Sequence, residues 1–334
     1  MKLSVVIPAH DEADTIQELL RRLGRVLETV DCDWELVLVD DGSRDPTWPL
    51  IKEAAERDPR VRGVRLSRNF GHQAALSAGL CMAEGDAVIT MDADLQHPPE
   101  LIPEILDRAG EGFDVVYAIR GPDDSEGWFK VHSAHFFYWL LNRLTRLDLP
   151  SGGADYRYMS RRAVNALLSM PERHRFLRGM ARWIGFMQST IEYTRAPRAG
   201  GRSKYGLRRM VHFAFDAILG FSALPLRIAS VLGLGVSVLG GIYLVYVLAT
   251  RIFTSAVVPG WTSVAAAVLL LGGVQLACLG ILGQYIGRMY EELKGRPLFM
   301  VWEDTRRPNE PGLEHARATA PLTGELLRTS ERSE

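Results

Sequence analysis

Asp92 and Asp94 close the apolar run DAVITMDAD, two carboxylates one residue apart where a strand gives way to a loop. Carboxylates so placed can share a hard divalent cation, and such a cation neutralises a diphosphate and the charge it carries away on departure. Alone, a DxD string is most often a pair of solvated loop acids; its meaning comes from what surrounds it. A second acidic pair, Asp40 and Asp41, follows the apolar run WELVLVDD and leads into Gly42, Ser43, Arg44 and Asp45. One reading of that segment is a helix N-cap and turn. The other is recognition of a base or ribose by Asp40, with Asp41 near phosphates or metal. Two acidic strand ends facing one crevice favour the second.

The elements that must hold these acids are legible as a pattern. From Met1 to about Arg120, apolar runs (LSVVIPA, WELVLVDD, VRGVRLS, DAVITMDAD, FDVVYAIR) alternate with helix-like stretches such as ADTIQELLRRLGRVLETV. The alternation predicts a parallel α/β sheet. Ligands of such sheets bind beyond the carboxyl ends of the strands, which is where both acidic clusters fall. With 39 basic and 40 acidic residues the formal net charge is -1, so no global field suits a nucleic acid and any anion must meet a local basic patch. Cys32, Cys81 and Cys278 lack metal-ligand spacing and suggest a reducing compartment. Met1 runs directly into an apolar strand, without the features of a cleaved signal.

Two segments after this half read as amphipathic. KVHSAHFFYWLLNRLTR, about 130–146, carries apolar residues at helical spacing with basic residues on the other face, and periodicity leaves a core helix and a helix lying in a lipid interface equally open. A second stretch, 207–226, directly precedes a long apolar run and is expected at the interface. Between Arg227 and Arg251 no residue is charged, and a further uncharged run covers about Ser263 to Gly287. Each is long enough to cross a hydrocarbon core of ~30 Å, and together, over 227–287, they predict a transmembrane hairpin. Arg202, Lys204, Arg208, Arg209 and Arg227 precede it, Arg288, Lys294 and Arg296 follow it, and the connecting loop opens with only Arg251. The positive-inside rule then puts both termini and the catalytic region in the cytoplasm. Residues 288–303 form a cytoplasmic segment after the spans, and 304–334, polar and without apolar period, are expected to be disordered.

SVVIPAHDEADTI, VDDGSRDPT, LSRNFGHQAALSAGL, MDADLQHPPE, VVYAIR, GGADYRYMSR, ERHRFLRG and RSKYG, in this order and followed by a double span, closely resemble the polyprenyl-phosphate glycosyltransferases of family 2. That family includes dolichyl-phosphate mannosyltransferases and bacterial undecaprenyl-phosphate glycosyltransferases, and the similarity covers about residues 3 to 303. The resemblance implies a GT-A (Rossmann-like) catalytic domain over 1–206 and an inverting transfer of one sugar from a nucleoside diphosphate to a polyprenyl phosphate. It implies Pro8, Ala9 and Glu12 lining base and ribose with Asp40 and Asp41, Asp92 near ribose and donor sugar, and Asp94 and Gln96 holding Mg2+ or Mn2+. Arg120 would stand near the phosphates. Asp155 would face the acceptor, as a general base or, since a lipid monophosphate is already largely ionised near neutral pH, as an orienting group.

Arg202 and Lys204, in the RSKYG block, resemble a mobile basic loop that closes over phosphates, with Lys204 the stronger candidate. Arg175 and Arg178, in ERHRFLRG, are weaker candidates for the acceptor phosphate, because a surface helix also uses such charges. His10 and Asp11 depart from the family's usual Tyr and Asn, and His97 from its usual Asp; His97 is expected to be hydrogen-bonded and not a metal ligand. Bacterial relatives with such a hairpin favour a uridine donor, and the resemblance leaves room for a homotetramer. A processive synthase fits poorly, since GMARW has Gly179 where that class has Gln, and a non-catalytic scaffold fits poorly beside four retained acids.

Overall fold

The computed structural model describes residues 1–121, 143, 153–193, 222–253 and 260–307. It forms two compact units, Met1–Gly206 with Arg296–Glu334, and Leu207–Gly295. The segment at 130–146, apart from Arg143, and the stretch 207–221 lie outside the described residues, as do Arg202 and Lys204.

The first unit is built on β1 (Lys2–Ala9), β2 (Asp33–Asp40), β3 (Val61–Leu66), β4 (Ala87–Thr90), β5 (Val115–Arg120), β6 (Gly153–Ser160), β7 (Gln188–Tyr193) and β8 (Val301–Asp304). They form one sheet in the order β7-β5-β6-β4-β1-β2-β3-β8. Strand β1 lies among parallel neighbours, and Leu3, Val5, Val6 and Ile7 are fully buried, which explains why it reads as a continuous apolar run. Helices α1 (Ala13–Leu27), α2 (Thr47–Arg57), α3 (His72–Met82) and α4 (Ile102–Gly110) connect these strands, with a short 3-10 turn at Pro99–Leu101. α1 buries Ile16, Leu19, Leu23 and Leu27, one stripe at helical spacing. α3 lies so close on the sheet that a Cβ at Gly79 would stand 2.2 Å from Val6 Cγ1.

The five strands before Arg120 run parallel, as expected, and two later strands make the whole sheet mixed. β6 runs antiparallel to both β4 and β5, and β8 antiparallel to β3. Strand β6 sits between two strands that run the same way, so its amino end shares an edge with the carboxyl ends of β1, β2, β4 and β5. β8 follows the apolar hairpin and returns the chain to the sheet. Arg62 and Asp304 form a buried pair (Nη2 to Oδ2 2.6 Å), Trp48 Nε1 donates to Glu303 Oε2, and Thr305 N donates to Gly63 O. β8 ends at Asp304, and just beyond it the Arg306 guanidinium reaches Glu35 at 3.1 Å; of the stretch 304–334 expected to be disordered, residues 308–334 lie outside the described residues.

Among the described residues, this unit also holds helices α5 (Arg161–Ser169) and α6 (Leu177–Trp183). The second unit holds α7 (Leu224–Phe253) and α8 (Trp261–Leu293), both longer than the uncharged runs alone suggest. Leu224–Tyr246 and Leu270–Leu293 are long and apolar enough to cross a membrane and are almost wholly unburied within the protein. Val231, Leu232, Leu239 and Ile242 on α7 and Leu270, Leu276 and Leu279 on α8 are exposed, an arrangement that water would penalise and lipid favours. The chain is an integral membrane protein. Tyr285 Oη donates to Ser222 O across the two helices.

Candidate functional site

The acidic residues converge on the shared edge of the first unit. Ala9 pairs with Asp40 at the ends of β1 and β2, and Asp41 N donates to Ala9 O. Asp40 is fully buried; Oδ1 accepts Ser43 N at 3.0 Å, while Oδ2 has no hydrogen bond, Arg65 Nε standing 3.2 Å away but out of alignment. An ionised oxygen left in that state is costly unless a ligand donates to it. The rest of the loop caps helices: Ser43 Oγ accepts Asp11 N, Thr47 Oγ1 accepts Glu12 N, and Asp45 Oδ2 accepts Ala13 N at the start of α1. Turn chemistry and ligand chemistry thus divide between neighbours.

Asp41 differs from expectation. Its two oxygens accept Phe70 N and Gly71 N at 2.7 and 2.9 Å, so it pins the β3–α3 loop and its carboxylate is occupied by backbone. Burial pushes the Asp41 carboxyl's pKa above the ordinary value, against those two hydrogen bonds. That loop crosses Gly42, whose φ is +66° and where a Cβ would meet Arg68 C at 2.5 Å, so only glycine fits there.

Beyond β4 the loop carrying Asp92, Asp94 and Gln96 is held by side chains from elsewhere. Asp92 N donates to His97 Nδ1 at 2.9 Å, so the ring's hydrogen is on Nε2, which faces Asp92 Oδ2 at 3.7 Å. His97 is buried, stacked on Tyr156 with centroids 5.2 Å apart, and Tyr156 Oη donates to Pro98 O. Leu95 has φ +60°, a left-handed conformation unfavourable for Leu that recurs where loops serve a ligand. Asp94 Oδ1 accepts Gln96 N at 3.1 Å. Burial, and then the charges of Asp94 and Asp92, push the Glu12 carboxyl up, against a hydrogen bond from Thr15. Three acids therefore concentrate negative potential in one crevice, a field a divalent cation would relieve. Among the described residues no three His, Cys, Asp or Glu side chains gather into a complete cage. Asp94 and Gln96 suit a cation whose shell is completed by diphosphate and water.

Antiparallel β6 delivers Asp155 to the same edge: Thr90 pairs with Arg157, and Thr90 Oγ1 donates to Asp155 O at 2.6 Å. Asp155 Oδ1 accepts from Arg157, a guanidinium only 1% exposed, while Oδ2 faces His72 Nε2 at 3.3 Å, Gln73 Nε2 at 3.3 Å and Arg178 Nη2 at 3.8 Å. Burial would raise the Asp155 carboxyl, but Arg178, Arg157 and the His72 hydrogen bond hold it well below the usual range. It is a poor base and a firm anchor for cations. His72, at the start of α3, also lies 3.5 Å from Asp92 Oδ1; burial disfavours its charged form, yet Asp155 and Asp92 raise it above the ordinary value.

Arg178 is thus brought to Asp155. The Arg175 guanidinium donates to Glu172 O and Met170 O, in the turn after α5. Pro8, Ala9, Glu12, Asp40, Asp92, Asp94, Gln96 and Arg120 belong to strand ends or loops on the shared edge. Sequence reading passed over His72, Gln73 and Arg157. The first two stand in the LSRNFGHQAALSAGL block, but nothing in spacing ties them to an acid more than 80 positions away.

Residues 4–168 match the description "Glycosyl transferase family 2", and residues 224–289 match "GtrB C-terminal hairpin". An uncharacterised glycosyltransferase of Synechocystis sp. is 42% identical over 90% of this chain and 95% of its own length. The chain belongs to glycosyl transferase family 2. An uncharacterised glycosyltransferase of Bacillus subtilis is 40% identical over 90% of this chain and 93% of its own. A protein of Shigella flexneri named an SfII prophage-derived bactoprenol glucosyl transferase is 36% identical over 92% of this chain and 99% of its own. The sequence expectations of a GT-A-like core and a C-terminal apolar hairpin are both met in this family 2 chain.

Proposed function

We propose that this chain transfers a single sugar from a nucleoside diphosphate, with a uridine base, to a polyprenyl phosphate at the cytoplasmic face of a membrane. The observation that carries the reading is one sheet edge where an acidic crevice (Glu12, Asp92, Asp94) meets an arginine- and histidine-lined acid (Asp155), in a chain with a membrane hairpin. The bactoprenol glucosyl transferases among the relatives support the acceptor class.

In this reading Asp40 Oδ2 accepts a donor hydrogen from base or ribose, Pro8, Ala9 and Glu12 wall that pocket, and Asp92 meets ribose and sugar. Asp94 and Gln96 hold Mg2+ or Mn2+, which when bound neutralises the diphosphate and its developing charge. Arg120 stands at the phosphate end, and Arg202 and Lys204 close over the leaving group. An acceptor phosphate oxygen attacks the anomeric carbon as the bond to the diphosphate breaks on the opposite face. That oxygen is already ionised, so the reaction requires no base; Asp155 holds Arg178 and His72 where they orient the phosphate. The basic residues flanking the hairpin, and the return of the chain to the catalytic sheet through β8, support a cytoplasmic catalytic unit with both ends of the hairpin on its side.

The test is a donor screen by thermal shift with Mn2+ or Mg2+, followed by turnover of the stabilising donor with a polyprenyl phosphate. One sugar per lipid is expected. Polymer on the lipid, or no turnover with any donor that binds, would overturn the reading.

A further inference from the structure

We propose that Gln73 is a positioning residue for the acceptor phosphate: its side-chain amide ties Asp155 to the backbone from which Arg178 projects, and so sets the spacing of acid and guanidinium. This rests on the acceptor assignment proposed above. Both ends of the amide are used. Oε1 accepts Leu177 N at 2.9 Å, and Nε2 donates to Asp155 Oδ2 at 3.3 Å. A backbone N–H only donates and an ionised carboxylate only accepts, so these two partners fix which way the amide points.

Arg157 makes the same connection from the other side. Its Nη2 donates to Asp155 Oδ1 and its Nη1 to Leu177 O at 3.2 Å. Asp155, Gln73, Leu177 and Arg157 therefore close a ring in which both carboxylate oxygens and both polar groups of the Leu177 backbone have partners. Leu177 and Arg157 are each only 1% exposed, which keeps competing water from their side of the ring. Arg178 is the next residue in the chain, and its Nη2 stands 3.8 Å from Asp155 Oδ2. Phe176 gives α6 no side-chain cap, so the start of that helix is held by an amide from α3. Glu at position 73 would keep the bond to Leu177 N but set a second carboxylate against Asp155; Asn is one methylene too short to reach both partners, and Leu bonds to neither.

The experiment measures, on the full-length protein in detergent, affinity for a short-chain polyprenyl phosphate and separately for UDP with Mn2+, in the wild type, Gln73→Leu, Gln73→Asn, Arg178→Ala and the double variants. Gln73→Leu should weaken lipid phosphate binding about tenfold and leave nucleotide binding within about twofold. In the Arg178→Ala background the same substitution should weaken it by less than about twofold, because the guanidinium it positions is gone; a purely structural loss would be equal in the two backgrounds. Equal losses in both, or unchanged lipid affinity in Gln73→Leu, would overturn the inference. Should Gln73→Leu fail to fold by thermal unfolding, Gln73→Asn takes its place in the same cycle, and failure of both to fold would make the ring a stability element and overturn the inference as well. An Arg178→Ala protein that binds the lipid phosphate as tightly as the wild type overturns the acceptor assignment and this with it.

Discussion

At the scale of single residues, the site separates acids that hold the fold from acids available to a ligand. Asp41 and Asp40 are adjacent, yet one is filled by two backbone N–H groups and the other keeps a buried oxygen without a hydrogen bond. Asp94→Asn should lower turnover by roughly 10²-fold and weaken metal-dependent donor binding, with little loss of stability, because the hydrogen bond its side chain accepts from Gln96 N is local. Steady-state rates against metal concentration check this. Asp155 permits a pH prediction. Its carboxyl is held well below the usual range, so it stays ionised throughout the neutral and mildly acid region and contributes no titration there. The acid limb of the rate should instead follow the acceptor's second phosphate ionisation, near ~6. Repeating the profile with an acceptor phosphonate of higher second pKa should move that limb upward; a limb that stays in place would make an enzyme group responsible.

At the scale of elements, the two antiparallel strands matter most. β6 brings Asp155 beside Asp92, and β8 closes the free edge of β3 with the buried Arg62–Asp304 pair. Asp304→Ala should leave the buried Arg62 guanidinium paired only with the more distant Glu84 Oε1, 3.7 Å away, and cost up to about 3–5 kcal/mol, read as a fall in the denaturant midpoint. Glu35 on β2 joins four segments: it accepts from Ser4 Oγ and Glu84 N and pairs with Lys2 and Arg306. Burial opposes its ionised form, but these partners bring its carboxyl from 4.5 down to about 2. A depressed carboxyl stabilises the fold above its unfolded value and loses that contribution as pH falls toward its folded one. About 3 kcal/mol should therefore disappear between roughly pH 4.5 and 2, a slope that Glu35→Gln should flatten in stability measurements across that range.

At the scale of the molecule, the membrane hairpin is an insertion between two pieces of one catalytic unit, Met1–Gly206 and Arg296–Glu334. Cutting the chain before α7 would also remove β8, so the informative variant replaces residues 224–293 by a flexible linker and keeps 296–307. Once shown to be folded, it should bind nucleotide and metal as the full chain does and turn over a long-chain acceptor in membranes poorly, by 10²-fold or more, through lost proximity. A water-soluble short-chain acceptor should restore part of the rate. Equal turnover of membrane-embedded acceptor by both forms would reduce the hairpin to an anchor.

What the sequence determined by itself follows from local physics. Unbroken apolar runs make buried strands, uncharged runs of this length make spans, and acids at strand ends meet at one edge, so the core, the hairpin and the placement of Asp40, Asp92 and Asp94 beyond the strand ends were legible. Tertiary structure alone decided that the sheet is mixed and that a short polar segment after the hairpin becomes β8, because pairing direction and edge addition depend on partners far along the chain. It alone gave the Arg175 guanidinium and the Asp41 carboxylate their backbone partners, Glu172 O and Met170 O for the one and Phe70 N and Gly71 N for the other. It also set His72 between two acids that are 63 residues apart: a side chain's role at such a junction is fixed by what packing brings within one hydrogen-bond length, and no periodicity encodes that.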